Sequence, residues 1–336
     1  MSPIKAWFLA ARPKTLTAAL IPVVTASALA YSHGVFQPLA ALYCVLFATW
    51  MQIAANLIND FYDFRRGTDG PERLGPERAM AQGWIKPRAM RIGIAITLML
   101  ACSAGSALLA SSATPLLLVG VGAACVVFAF LYTTLLSYCG LGDLLVYVFF
   151  GLVPVWGTYY VQAGTTVPEV WWLAAACGLM IDTLLIVNNY RDRDTDRRTG
   201  KRTLIVMLGE RFGRYDYLLH GAAAYVCAAM LALYGHLWVA VLAMLYLLPH
   251  YLTWRKMVEI REGRALNRIL GFTSRNMLLM GILITLSLLI EKREIISTLL
   301  SGEGRPAAPR NAARPDYPEF LDYLEALEFL EFLEFL

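Results

Sequence analysis

The chain has 336 residues, of which 58% are hydrophobic and only 16% charged, a balance that excludes an ordinary water-soluble globular protein. With a formal net charge of +4, no nucleic-acid partner is expected. What remains is an all-α polytopic membrane protein, because the apolar runs are long enough to cross a hydrocarbon layer of about 30 Å as helices.

The amino terminus carries Trp7, Arg12, Pro13 and Lys14 ahead of an apolar run over 15–31. It lacks a small-residue cleavage site and reads as a first permanent span. Further runs at 38–58, 89–110, 114–133, 142–161, 169–189, 217–235, 237–254 and 272–290 bring the expected number of transmembrane helices to nine.

The second run ends in Asn56-Leu-Ile-Asn-Asp-Phe-Tyr-Asp63. Asn56, Asp60 and Asp63 lie four and then three residues apart, so a helix turns them to one face. Carboxylates turned the same way at the mouth of a membrane helix repel one another and lose solvation unless a cation sits between them. The loop that follows holds Arg65, Arg66, Gly67, Thr68, Asp69, Arg73 and Arg78. This mixture of acids and bases suits a magnesium-bridged phosphate, with carboxylates on the metal and basic groups on the free phosphate oxygens.

The sixth run repeats the device. Asn188 and Asp192 keep the spacing of Asn56 and Asp60, and Asp194, Asp196, Lys201 and Arg202 follow. Two such faces read as a duplication able to grip one polyanion between them. Asp143 and Asp182 sit at or inside spans, where an acid is a functional candidate or simply accepts a hydrogen bond from a neighbouring helix. Tyr132, Tyr138, Tyr147, Phe149, Phe150 and Trp156 crowd the middle of the chain. Most belong to packing or to the interfacial belt, and a few facing a cavity, Tyr132 among the candidates, can stabilise a cation through their rings.

Six dispersed cysteines read as packing residues, and four dispersed histidines, no two of them one helical turn apart, argue against a zinc or haem site. Of the 29 Lys and Arg residues, 24 fall before span one or in the 61–91, 191–214 and 254–275 connections, on one side of the membrane. The positive-inside rule therefore places both acidic motifs in the cytoplasm of a multi-pass protein of the cytoplasmic membrane. Lys292, Arg293, Arg305, Arg310 and Arg314 fall on the other side and conflict modestly with that reading. Residues 1–295 are expected to form one transmembrane domain, with 296–336 a low-complexity tail whose Glu-Phe-Leu triplets hold no lasting helical face.

The pattern Asn56-x-x-Asn59-Asp60-x-x-Asp63-x-x-x-Gly67-Thr68-Asp69, with Asn188-Asn189-x-Arg191-Asp192-x-x-x-Asp196-x-x-x-Gly200-Lys201, resembles the motifs of the UbiA superfamily of intramembrane prenyltransferases. Within it, the Ala11-Arg12-Pro13-Lys14-Thr15-Leu16 opening and the run from Gly200 to Gly209 resemble 1,4-dihydroxy-2-naphthoate polyprenyltransferases of menaquinone synthesis. The resemblance covers about residues 5–290. It implies nine helices around a central cavity open to lipid, with a polyprenyl diphosphate and an aromatic acceptor as substrates. It further implies magnesium held by Asp60, Asp63, Asp192 and Asp196, with Asn56 and Asn188 orienting the diphosphate or metal-bound water, and Lys201 and Arg65 neutralising the leaving group. Arg12 or Lys14 would hold the acceptor's carboxylate. Another acceptor, such as 4-hydroxybenzoate, homogentisate or a chlorophyllide, is the nearest alternative, and a secondary transporter is the alternative of a different class.

Overall fold

The computed structural model describes residues 1–67, 73–110 and 112–301, with 293–301 as backbone only. Thr68 and Asp69 of the first motif and the tail from 302 lie outside the described residues. Eleven α-helices are traced: α1 Pro3–Ala11, α2 Pro13–Ser32, α3 Pro38–Arg66, α4 Pro87–Leu109, α5 Pro115–Thr134, α6 Gly142–Ala163, α7 Pro168–Arg198, α8 Leu204–Leu208, α9 Glu210–Tyr234, α10 Leu237–Ile260 and α11 Leu266–Ser301. Six of them, α1 to α5 and α7, begin on proline, whose fixed φ suits the first helical position and whose missing N–H costs nothing there.

Among the described residues, nine helices are long and apolar enough to cross a membrane, and they coincide with the nine expected runs. The ends differ, because α3 and α7 continue to Arg66 and Arg198, well past their apolar stretches. Polar residues carry each helix out of the apolar layer, and Arg65, Arg66, Arg197 and Arg198 in the last turns complement the negative ends of the helix dipoles. Gly67, at φ 72°, provides that turn for α3 in the left-handed region that glycine enters without penalty.

The spans alternate in direction, so the connections holding most of the charge lie at one end, where α3 and α7 finish. In α2 and α7, 67% of the apolar window is buried, against 6% in α5, so the first two form the centre and α5 faces outward. Helices α6 and α7 approach closely: a Cβ on Gly151 would lie 2.5 Å from Gly178 Cα, so only glycine permits the contact. Helix α1 lies outside the spans, with Ile4 and Phe8 exposed and the Trp7 ring against Gly93 of α4. At the opposite end, Lys292 donates to the Tyr31 carbonyl and stands over the Tyr31 ring, so this cation serves packing rather than topology.

Candidate functional site

A cavity of ≈1460 Å³ runs into the protein from the end where α3 and α7 finish. It is larger than the 300–1,000 Å³ of about a drug-sized pocket. Its mouth is polar and its depth apolar, with Phe47 of α3, Val119 of α5, and Phe149 and Val161 of α6 among the deep lining residues.

From α3 the lining takes Asn56, Asn59 and Asp63, not Asp60. Asp60 is 1% exposed and accepts backbone N–H bonds from Ala79 (3.1 Å) and Met80 (3.4 Å). This acid, expected on the metal, pins the 73–86 connection against the helix. The reason is angular: at about 100° per residue, Asp60 falls about 40° to one side of Asn56, and Asn59 about 60° to the other. The connection occupies the first side and the cavity the second.

Asn59, absent from the expected set, is the hub of the α3 face. Its Oδ1 accepts from Arg78 at 2.7 Å and from Arg12 at 3.1 Å. Arg78 also lies 3.5 Å from Asp63 Oδ2. Asn56 reaches back to α1 and α2, donating to the Ala11 carbonyl (2.9 Å) and to Thr15 Oγ1 (3.0 Å). Arg12 adopts φ 51°, a left-handed conformation costly for a side-chain-bearing residue, and its bond to Asn59 helps to hold it there. Lys14 lines the same mouth.

From α7 the lining takes Asn188, Asn189, Arg191, Asp192, Thr195 and Asp196. Arg191, 4% exposed, grips both oxygens of Asp192 at 2.8 and 2.6 Å and donates to Asn267 Oδ1 at 2.8 Å. Asn267 in turn donates to the Leu74 carbonyl, so α7, the start of α11 and the connection after α3 meet over the mouth. Asn188 donates to the Leu184 carbonyl of its own helix. Lys201 Nζ stands 3.6 Å from Asp196 Oδ2, an ion pair too long for a hydrogen bond. Asp194 is turned to solvent beside Arg197, 3.8 Å away.

Other expected residues divide. Tyr132 lines the cavity. Arg65 does not: it is exposed, its guanidinium 5.9 Å from the centroid of the Phe61 ring. Asp182 is 2% exposed, outside the lining, and paired with His220 Nε2 at 3.4 Å. His220 bridges it to Asp216 (3.0 Å). Asp143 is buried near them at the head of α6, also outside the large cavity.

Asp63, Asp192 and Asp196 therefore offer carboxylate oxygens to one space. Asp196 Oδ2 is buried without a hydrogen bond, and Lys201 at 3.6 Å is a positive charge beside it, so a metal ion at this point would join an existing ion pair. An all-oxygen, acid-rich donor set fits a small hard divalent ion such as magnesium.

The sequence profile of the UbiA prenyltransferase family matches residues 19–278, most of the spanning region. The chain belongs to the UbiA prenyltransferase family. It is 39% identical, over 70% of its length and 79% of the relative's, to 1,4-dihydroxy-2-naphthoate octaprenyltransferase of Escherichia coli (strain K12). Its identity to the enzyme of the same name from Haemophilus influenzae is 34%, over 85% of this chain and 96% of the other. The fold is that of a solved UbiA homolog from Aeropyrum pernix K1, with a TM-score of 0.64 at 18% identity over 82% of this chain and 97% of that one. A UbiA homolog from Archaeoglobus fulgidus bound to GPP and Mg2+ aligns at a TM-score of 0.60, 16% identical, over 87% and 99% of the two chains.

One signal for the missed residue was present in this UbiA sequence. Asn59 stands to Asp63 as Asn188 stands to Asp192, and Gly67 then falls where the second motif has Asp196. That register of the repeat, three residues away from one that pairs Asn56 with Asn188, selects the residues that line the cavity.

Proposed function

We propose that this enzyme transfers a polyprenyl group from a polyprenyl diphosphate to 1,4-dihydroxy-2-naphthoate, releasing diphosphate and carbon dioxide, in menaquinone synthesis. The observation that carries the reading is one cavity with basic and acidic groups at its mouth and a long apolar depth, in a chain 39% identical to an enzyme of that name. Its place is the cytoplasmic membrane, with the mouth toward the cytoplasm, where the excess of Lys and Arg supports it.

Magnesium, when bound by Asp63, Asp192 and Asp196, supplies positive charge that favours departure of the diphosphate. The residues of the chain do the rest. Lys201 and Arg78, each beside one of these acids, neutralise the remaining phosphate charge. Arg191 fixes the orientation of Asp192 through two parallel bonds. Tyr132 and Phe149 present ring faces to the allylic carbon as its bond to oxygen breaks. The 73–86 connection, held by Asp60, covers the mouth and excludes water that would otherwise capture the cation.

Arg12 or Lys14 holds the acceptor carboxylate near the rim. The ring carbon carrying that carboxylate forms the new carbon–carbon bond. Carbon dioxide then leaves, and the electron pair of its broken bond restores the aromatic ring. The direct test incubates purified protein with radiolabelled polyprenyl diphosphate and a panel of 1,4-dihydroxy-2-naphthoate, 4-hydroxybenzoate and homogentisate. A labelled, decarboxylated product is expected from the naphthoate alone. Product from a different acceptor only, or from none, would overturn the assignment.

A further inference from the structure

At the membrane face opposite the catalytic mouth, three connections and the end of a fourth helix bring together groups that the prenyl-transfer chemistry does not use. His33 follows α2, Glu169 opens α7, His236 precedes α10, and Glu291 lies near the end of span nine. One ligand atom each of His33, Glu169 and His236 lies within 4.8 Å of the others. The two imidazole rings are 5.7 Å apart, between residues far separated in sequence.

Both imidazole rings are already held from behind. His236 Nδ1 is 2.8 Å from Glu291 Oε2, and Glu291 Oε1 is anchored by the Trp238 backbone N–H at 2.6 Å. His33 Nδ1 is 2.7 Å from Tyr159 Oη. Each ring thus has one nitrogen fixed by an outer partner, the pattern that orients metal-ligating histidines and sets their tautomer. The inner nitrogens are left over. His236 is only 8% exposed, and its Nε2 is buried with no hydrogen-bond partner. Glu169 Oε2 is likewise buried and unpartnered, while Glu169 Oε1 lies 4.0 Å from His33 Nε2. Lys292, next to Glu291, is turned to the Tyr31 carbonyl and ring.

The geometry points to a zinc-class divalent metal site formed by His33, His236 and Glu169, with Glu291 and Tyr159 as its outer shell and a water in the fourth position. Two imidazoles and a carboxylate are a donor set that suits zinc and disfavours magnesium, which requires oxygen ligands. Tetrahedral zinc would bring the ligand atoms to about 3.4 Å from one another, so from separations of at most 4.8 Å they close by no more than about 1.4 Å. His33 and Glu169 keep 23% and 13% of their side chains exposed, which gives that movement room and opens the fourth position to water. A bound ion would tie together the connections that close this end of the bundle.

The test uses full-length, tag-free protein in detergent, stripped with a chelator and titrated with Zn2+ by calorimetry, with bound metal counted by elemental analysis. One equivalent per chain is expected, unaffected by millimolar Mg2+, with a rise in the thermal midpoint on binding. His236→Ala and His33→Ala should each weaken binding at least 100-fold, and Glu291→Gln about 10-fold through the outer shell. Asp192→Asn, at the far end of the same helix, should bind zinc as the unaltered protein does. Substoichiometric binding by the unaltered protein overturns the site, and so does undiminished binding in the His33→Ala/His236→Ala pair. Loss of binding in Asp192→Asn would assign the zinc to the catalytic mouth instead. Should the histidine variants aggregate, Co2+ bound to the unaltered protein decides the matter, since its visible spectrum reports histidine ligation and a tetrahedral shell. An all-oxygen, six-coordinate spectrum overturns the proposal.

Discussion

Helices α3 and α7 carry nearly the same string of amides and acids, yet they use it differently. On α7, Asp192 and Asp196 both line the cavity, one clamped by Arg191 and the other in an ion pair with Lys201. On α3 only Asp63 lines it, while Asp60 is consumed by two backbone N–H groups of the following connection, and Gly67 stands where a third acid would be. The cavity-facing carboxylates are therefore unevenly shared, two on α7 and one on α3. On α3 the amides Asn56 and Asn59 instead organise the basic side chains and the entry helix. A repeated pattern identifies two helices as partners without making their residues equivalent.

The sharpest way to break this comparison is to neutralise one acid at a time. Asp192→Asn and Asp63→Asn should each lower kcat/KM at least 1,000-fold, about 4 kcal/mol of transition-state stabilisation, with membrane insertion unchanged. The double variant should be hardly worse than either single one, since the two helices are proposed to act on one diphosphate. Fully additive losses in steady-state kinetics would mean that the two faces serve separate sites.

Asp60→Asn should behave differently in kind. The amide keeps one acceptor oxygen for Ala79 or Met80 but loses the charge, at a cost of about 1–2 kcal/mol in holding the 73–86 connection. We expect a lower thermal midpoint, faster proteolysis within that connection and a roughly tenfold loss of kcat/KM, a penalty of about 1.4 kcal/mol. The magnesium concentration giving half-maximal rate should stay where it was. If that concentration rises as it does for Asp63→Asn, Asp60 belongs on the metal after all.

Arg191→Lys sharpens the α7 side. Lysine preserves the charge but cannot make two parallel bonds to Asp192 while also reaching Asn267. A rise of about tenfold in the KM for the diphosphate, with a smaller change in kcat, is the expected result, worth about 1.4 kcal/mol. An unchanged KM would show that Asp192 orients itself without help.

The nine spans were legible because each needs only an uninterrupted apolar run, and composition along the chain shows where those lie. The two motifs were legible for the opposite reason, since Asn and Asp at the end of such a run are costly unless something partners them. Which acid faced the cavity was not legible. Asn56, Asn59, Asp60 and Asp63 all fall within about 100° of one another around α3, and the neighbour that occupies each edge is set by tertiary packing. Arg65 illustrates the same limit: its position after Asp63 looked suitable, but the helix turns it outward over Phe61. Arg191 and Asn267 meet from helices distant in sequence, and no local spacing marks such a pair.

The smallest expected effect belongs to the third acid of the second motif. Asp194 lies between Asp192 and Asp196 in sequence, so by charge density alone it has an equal claim on a cation. Its position on α7 decides otherwise: two residues from each neighbour, it projects about 200° away from either, on the opposite face of the helix. Its side chain is 63% exposed beside an equally open Arg197, in an ion pair that solvent screens almost completely. Asp194→Asn should therefore leave kcat, KM and magnesium dependence unchanged and shift stability by less than about 0.5 kcal/mol. A loss of activity comparable to that of Asp192→Asn would mean that the end of α7 rotates when substrate binds, and that the cavity-facing residues seen here are those of a different state.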